Sequence, residues 1–324
     1  MKKKPIYYII VLIIAAAISF INNSNDIDNS NNIEDPASIV EQENNSANNA
    51  DGIPIENDIN RDAEPDNGTT ELGKLKVHFI DVGQADSILI QSDEQAMLID
   101  AGNNGDSEEV VAYIKSQNIE LLDYVIGTHP HEDHIGGLDA VIESFDIGVI
   151  YMPKAMSTTK TFEDVLNAIS NKGMKVTTPV PGTTVRLGEA SFTILAPNSD
   201  SYKETNNYSI VIKLEHGNNS FIFTGDAEDV SEKEMIEKGY DLSANVLKVG
   251  HHGSSSSTTE EFLMKVNPQY AVICVGKDNK YGHPHREIVD LLNKMGIKIY
   301  RTDENGTIIA TSDGESITFE EAFK

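Results

Sequence analysis

Three histidines and an aspartate fall within six positions in Thr128-His129-Pro130-His131-Glu132-Asp133-His134, directly after the strand-like run 124–128 and before Gly136 and Gly137. A strand that stops at such a cluster delivers its polar side chains to a loop at a sheet edge. The alternate residues His129 and His131 point the same way and can hold one cation. Asp133 and His134, on the turn into the next helix, face a second. Neutral imidazole and carboxylate are donors that suit zinc, manganese or iron, and the glycines allow the chain to turn tightly behind them. A lone histidine is more often a satisfied structural residue; this density at a strand end points to a metal site.

A pair of cations needs donors from elsewhere in the chain. The apolar run 221–223 leads through Thr224 and Gly225 into Asp226, a carboxylate placed at a strand end and suited to bridge two cations; the alternative is a turn or helix-cap aspartate before Val230. The run 245–249 leads likewise into Gly250-His251-His252-Gly253. His251, at the strand end, is the expected ligand of the second cation. His252 is expected as a neighbour facing substrate, or as the ligand in its place, because adjacent side chains usually diverge. The single cysteine, Cys274, lies in an apolar run and reads as a buried strand residue. A thiolate cage is thereby excluded, so any metal site is built from histidine and carboxylate.

The 324 residues carry a formal charge of −27. Residues 1–70 hold 12 acidic and 4 basic side chains, which leaves −19 on residues 71–324. Stable binding of duplex nucleic acid usually requires a basic face, so it is not expected here. Bound cations would restore positive potential locally, which leaves room for one phosphodiester at the site. Met1-Lys2-Lys3-Lys4 followed by the apolar run 6–21 is an export signal by composition, either cleaved or kept as an N-terminal membrane anchor. Without a cysteine near its end it is not a lipid-attachment signal. Residues 22–70, rich in Asn, Asp, Glu and Ser, read as a disordered linker. The folded part is expected over 71–324, outside the cytoplasm, either secreted or held at the outer face of the membrane.

From 74 onward apolar alternation and helical spacing interchange. Strands are expected at 76–81, 87–91, 96–100, 124–128 and 148–151, then at 184–186, 191–195, 209–214, 220–224, 246–249 and 270–275. Helices fit 107–116, 137–144, 230–237, 259–266 and 285–295. A strand at 298–301 and a hairpin through Asp313-Gly314 close the chain. Two groups of strands with helices in both halves predict an α/β fold of two packed sheets covered by helices. Of the remaining polar groups, Asp100 stands at a strand end. His283, in Tyr281-Gly282-His283-Pro284-His285, is a candidate for contacting a phosphate or protonating a leaving group; a surface loop and helix cap is the alternative. His216 reads as a solvent residue beside a turn, and Ser254–Ser257 as a flexible rim with no base to make a nucleophile of it.

Residues 74 to about 312 resemble the hydrolase domain of the ComEC-type DNA-uptake (competence) proteins. The matching segments are 78–86 (HFIDVGQAD), 98–102 (LIDAG), the 129–134 cluster, 206–209 (NNYS), 224–226 (TGD), 248–254 (KVGHHGS), 281–285 (YGHPH) and 301–303 (RTD). The resemblance implies a metallo-β-lactamase αββα four-layer sandwich, two mixed β-sheets flanked by helices, with metals at one sheet edge. It also implies phosphodiester hydrolysis with two divalent ions, Zn²⁺ or Mn²⁺, and a phosphodiester substrate such as single-stranded DNA; no protein partner is implied. On this reading Asp226 bridges the ions, Asp133 binds metal and orients water, His252 or His283 offsets charge on the phosphoryl oxygens, and Asp100 orients a ligand histidine. Asn206-Asn207-Tyr208-Ser209 lacks the histidine that most of the superfamily supplies to the first metal, which tilts the expected ion toward manganese. Ala85 stands where the family often has glycine. The competence proteins' multi-span channel region is not in this sequence, so no expectation of DNA translocation follows. The same scaffold also serves hydrolases of other esters, thioesters and lactams, and a non-enzymatic surface protein with structural metals is a third reading.

Overall fold

The computed structural model describes residues 72–322; the expected signal or anchor (1–21) and the linker (22–70) lie outside the described residues. The chain opens with three antiparallel strands, β1 (Leu75–Phe79), β2 (Ser87–Ser92) and β3 (Gln95–Ala101). Helix α1 (Ser107–Ser116) then crosses to β4 (Leu121–Ile126), parallel to β3. The one-turn α2 (Glu132–Ile135) and α3 (Leu138–Ser144) lead to β5 (Asp146–Tyr151), and α4 (Lys160–Asn171) to the short edge strand β6 (Val176–Thr177).

The second sheet is built from β7 (Thr184–Leu187), β8 (Ala190–Ala196), β9 (Val211–His216) and β10 (Asn219–Phe223), paired antiparallel. Three parallel additions follow, β11 (Val246–Lys248), β12 (Tyr270–Ile273) and β13 (Lys298–Arg301). Helices α5 (Asp229–Glu237), α6 (Glu260–Val266) and α7 (Arg286–Lys294) make the crossovers. After the one-turn α8 (Thr302–Asn305) the closing hairpin, β14 (Thr307–Ser312) and β15 (Ile317–Ala322), returns to the first sheet beside β1. The strand orders are β15-β14-β1-β2-β3-β4-β5-β6 and β13-β12-β11-β10-β9-β8-β7.

Three apolar layers explain why the sheets stack. Phe79, Ile90, Met97, Phe192, Phe221 and Phe223, drawn from the inner faces of both sheets, form one continuous core with Cys274, which is a free, buried thiol. Val110, Ile114, Leu138, Val141 and Val165 seal the first sheet against its helices, and Met235, Phe262, Leu263 and Leu292 do the same for the second. The central strands are thus buried on both sides while edge strands such as β6 stay exposed, and the described residues form an αββα sandwich of two mixed sheets. Among the described residues no helix is long and apolar enough to cross a membrane.

Two local readings of the sequence are corrected. His216 is 1% exposed. The β9–β10 hairpin tucks under the closing hairpin, where Asn218 N–H donates to the Gly314 carbonyl at 2.6 Å and His216 Nδ1 lies 2.8 Å from Ser312 Oγ. The serine run is not a free rim either. Ser254 and Ser257 are buried, Ser256 Oγ is 3.1 Å from His251 Nδ1, and α6 begins only after Thr259, whose hydroxyl caps it.

Candidate metal centre

Every expected ligand sits where a strand of one sheet or the other ends. The cluster 129–134 follows β4, Asp226 follows β10 and the histidine pair follows β11. Gly136 lets the first of these turns close: a Cβ there would lie 2.3 Å from the Asn103 carbonyl carbon. The adjacent histidines are splayed by an unusual backbone. His251 and His252 both adopt positive φ, +49° and +54°, a conformation that non-glycine residues seldom take. The turn is braced by Gly250 N–H to Thr258 Oγ1 (3.1 Å) and Ser254 N–H to the His251 carbonyl (2.8 Å).

The hydrogen bonds on the far sides of the rings decide which nitrogens face the centre. His134 Nδ1 lies 2.8 Å from Asp100 Oδ2, and Asp100 itself accepts from Thr128 N–H (2.8 Å) and Thr128 Oγ1 (2.7 Å). His252 Nδ1 donates to the Cys274 carbonyl at 2.9 Å; a carbonyl only accepts, so Nδ1 of His252 carries the proton. The Thr128 hydroxyl, spent as a donor to Asp100, accepts from His129 Nδ1 at 3.1 Å. Nε2 of all three rings is thereby turned toward Asp226.

Around Asp226 the donors converge. His134 Nε2 is 3.2 Å from Oδ1; His129, His251 and His252 Nε2 lie 3.9, 3.6 and 3.8 Å from Oδ2. His129 Nε2 and His131 Nδ1 are 3.0 Å apart, and His252 Nε2 is 3.4 Å from Asp133 Oδ2. His129, His134 and Asp226 form one group with donor atoms mutually within 4.8 Å, and Asp133, His134 and His252 form another. His252, not His251, therefore belongs to the group with Asp133. His251 is less buried and turns its Nδ1 toward Ser256 and Glu228, with Asn206 Nδ2 3.3 Å away.

The fit to cations rests on atoms that protein alone leaves unsatisfied. His134 Nε2, His252 Nε2 and Asp226 Oδ1 are buried and make no well-formed hydrogen bond among the described residues; they face only one another and Asp133, at 3.2 and 3.4 Å. One orphaned buried polar atom costs about 1–3 kcal/mol, and three aimed at one place are the pattern of a cation site. The electrostatics agree. Burial opposes charge on His134, yet the Asp226 and Asp100 carboxylates raise its pKa well above the ordinary value. Burial is likewise outweighed at His252, raised to about 10 by Asp226, Asp133 and Asp86. Where no cation balances the carboxylates, protons do.

Two groups beneath the centre were not singled out by sequence reasoning, although both lie in segments that carried the resemblance. Lys248 is 1% exposed; its Nζ pairs with Asp86 and donates to the Gly225 carbonyl at 3.1 Å. Asp86 Oδ1 in turn lies 3.4 Å from His252 Nδ1. This pair ties the Asp226 turn to the His252 turn. Burial lowers the Lys248 pKa, but Asp86 and Asp226 together hold it above the usual lysine range.

The centre opens into a cleft of about 540 Å³, walled by His131, Asp133, His252, Gln84, Tyr281 and His283. His283 lies near-parallel to His252, with centroids 6.4 Å apart, and its Nδ1 is 3.5 Å from Gln84 Nε2. Burial and the histidines beside it lower its pKa to about 4. At neutral pH it is therefore uncharged, and of the two roles expected from the sequence it suits contact with a phosphate better than protonation of a leaving group.

Two mixed sheets in four layers, with a His/Asp centre at one edge, match a known design. The profile described as "Metallo-beta-lactamase superfamily" matches residues 80–277, and the chain belongs to that superfamily as a metallo-hydrolase of the competence-protein type. Its relatives include ComE operon protein 3 of Bacillus subtilis (strain 168), 34% identical over 251 residues, covering 72% of this chain and 32% of that protein. Competence protein ComA of Neisseria gonorrhoeae is 27% identical over 230 residues, covering 70% and 31%. This chain thus spans about a third of the length of these curated relatives. The crystal structure of the metallo-beta-lactamase fold protein YhfI from Bacillus subtilis superposes with a TM-score of 0.50 at 15% identity, covering 74% of this chain and 99% of that one. At that identity the likeness is one of fold.

Proposed function

We propose that the protein is an exported phosphodiesterase, acting on nucleic-acid strands, with two divalent cations in the centre described above. His129, His131 and Asp226 would hold one cation, and Asp133, His134 and His252, with Asp226, would hold the other. His252 takes the place first expected for His251, because its Nε2 is the one beside Asp133. When bound, such cations would supply positive charge that lowers the pKa of a water and offsets charge on a phosphoryl group. The chain's own residues do the rest. Asp100 and the Cys274 carbonyl fix the tautomers of His134 and His252. Asp133, partly exposed at the cleft wall, is placed to orient water, and His283 and His251 offer N–H groups to phosphoryl oxygens.

The observation that carries the reading is the convergence of three orphaned buried donors at an edge open to a cleft. A closed structural site has no use for such access. Phosphodiester chemistry is supported by similarity to competence proteins, and export by the basic-apolar start of the sequence. Manganese is favoured over zinc because the stretch 206–209 lacks the further histidine that is usual there. The test is turnover of a panel containing bis(p-nitrophenyl) phosphate, single-stranded DNA, a thioester and a lactam, with Mn²⁺ or Zn²⁺ added. Metal-dependent cleavage of the first two, lost in Asp226→Ala, is expected. Cleavage of the thioester or lactam alone would replace the substrate class and leave the centre standing. Fractionation of cells expressing the tagged chain tests export: cytoplasmic protein would contradict it.

A further inference from the structure

The loop between β12 and α7 carries an aromatic ring that the core does not use. Tyr281 is 53% exposed, yet the segment bearing it is firmly held. Asn279 staples it: its Nδ2 donates to the carbonyls of Gly276 (2.9 Å) and His283 (2.6 Å), and its Oδ1 accepts from the N–H groups of Tyr281 (3.2 Å) and His283 (3.0 Å). Gln84 Oε1 accepts from Gly276 N–H at 3.0 Å and ties the loop to the first sheet. The Tyr281 ring stacks on His283 with centroids 5.6 Å apart and planes 23° apart, and His283 lies near-parallel to His252. Three rings thus step from the lip of the cleft to its floor. Lys280 also lines the cleft; its Nζ lies 5.0 Å from the Tyr281 ring centroid, and it pairs with no carboxylate among the described residues.

From this arrangement we infer that Tyr281 and Lys280 select the substrate: Tyr281 stacks an unpaired nucleobase next to the scissile phosphodiester, and Lys280 receives a neighbouring phosphate. The inference rests on the phosphodiesterase reading and narrows its substrate to single strands. A ring held at a fixed angle gains a stacking partner without ordering cost, and every base has a face to offer, so such a platform tolerates sequence. It is closed to a base buried in a duplex, whose faces are already covered. The charge distribution points the same way. A net charge of −19 over residues 71–324 makes the basic face that duplex binding usually needs unexpected, whereas the cleft is lined by a lysine that pairs with no carboxylate among the described residues. The long lysine stem lets the ammonium leave the ring for a phosphate when a base arrives.

The test compares a short single-stranded DNA with an abasic strand of equal length and charge, using the full chain loaded with Mn²⁺. Tyr281→Ala should lower kcat/KM on the base-bearing strand on the order of 10-fold, mainly through KM, and at least several-fold more than on the abasic strand. Tyr281→Phe should restore it. Lys280→Ala should weaken both strands alike and reduce the salt dependence by about one phosphate contact. Anisotropy of the labelled strands in Ca²⁺ gives the same comparison without turnover. Equal losses on the two strands, or an unchanged KM in Tyr281→Ala, would overturn the inference while cleavage itself upholds the phosphodiesterase. No binding of either strand to the wild type would overturn it as well, and absence of phosphodiester turnover would separately defeat the reading beneath it.

Discussion

At the scale of single residues, Asp226 and the rings around it account for most of the site. Replacing Asp100 by Asn should cost roughly 10–100-fold in metal affinity, since His134 loses the carboxylate that sets its tautomer; a competition titration with a chelating dye measures it. His252→Ala should lose one equivalent of bound metal and His251→Ala none, read by elemental analysis after gel filtration; the reverse would restore the assignment that the place of His251 at the strand end favoured. Acidity provides a further check. His134 is raised well above its ordinary value and His252 to about 10, so the metal-free protein holds protons there at pH 7. A cation must displace them: affinity should rise with pH through neutrality, and calorimetry in buffers of different ionisation enthalpy should show proton release. The choice between the two histidines was not legible in the sequence because it depends on two consecutive left-handed residues, which no hydrophobic period reports. The density of donors at 129–134, by contrast, was plain. Asp86 and Lys248 were present in recognisable segments, but only burial turns them into a pair. Lys248→Met should cost about 3–5 kcal/mol in urea unfolding of the metal-free protein, because it strands Asp86 in the interior.

At the scale of elements, the strands and most helices appear within a few residues of where alternation and helical spacing put them. The exceptions have physical reasons. Helix Lys160–Asn171 lies in a stretch to which the sequence reading gave no element, although Phe162, Val165, Ala168 and Ile169 make a buried stripe and Thr159 caps its start; the polar and proline-bearing flanks masked it. The one-turn helix Glu132–Ile135 is too short to show a period. The turn after β11 and the loop before α7 lock together at Gly253, where φ is +83° and an added Cβ would meet Pro284 Cβ at 2.6 Å. Gly253→Ala should therefore destabilise the fold and move His252 and His283 together, visible as a shared shift of their imidazole resonances. A change confined to one histidine would show the two loops to be independent.

At the scale of the whole molecule, two sheets of opposite lineage in the chain bring their strand ends to one edge. The candidate metal centre draws on both: the cluster 129–134 comes from the first sheet, and Asp226 and His252 come from the second. The sandwich core holds these halves in register, so the site exists only in the closed fold; the resemblance of scattered short motifs anticipated this where local patterns had no means to. A two-cation centre is tested most directly by the number of cations that the proposed phosphodiester turnover requires. Chelated, metal-free protein titrated with Mn²⁺ while bis(p-nitrophenyl) phosphate turnover is followed should reach its plateau at two equivalents, and Asp226→Asn should stay at background throughout. A plateau at one equivalent, or full activity in Asp226→Asn, would contradict a centre of two cations bridged by that carboxylate.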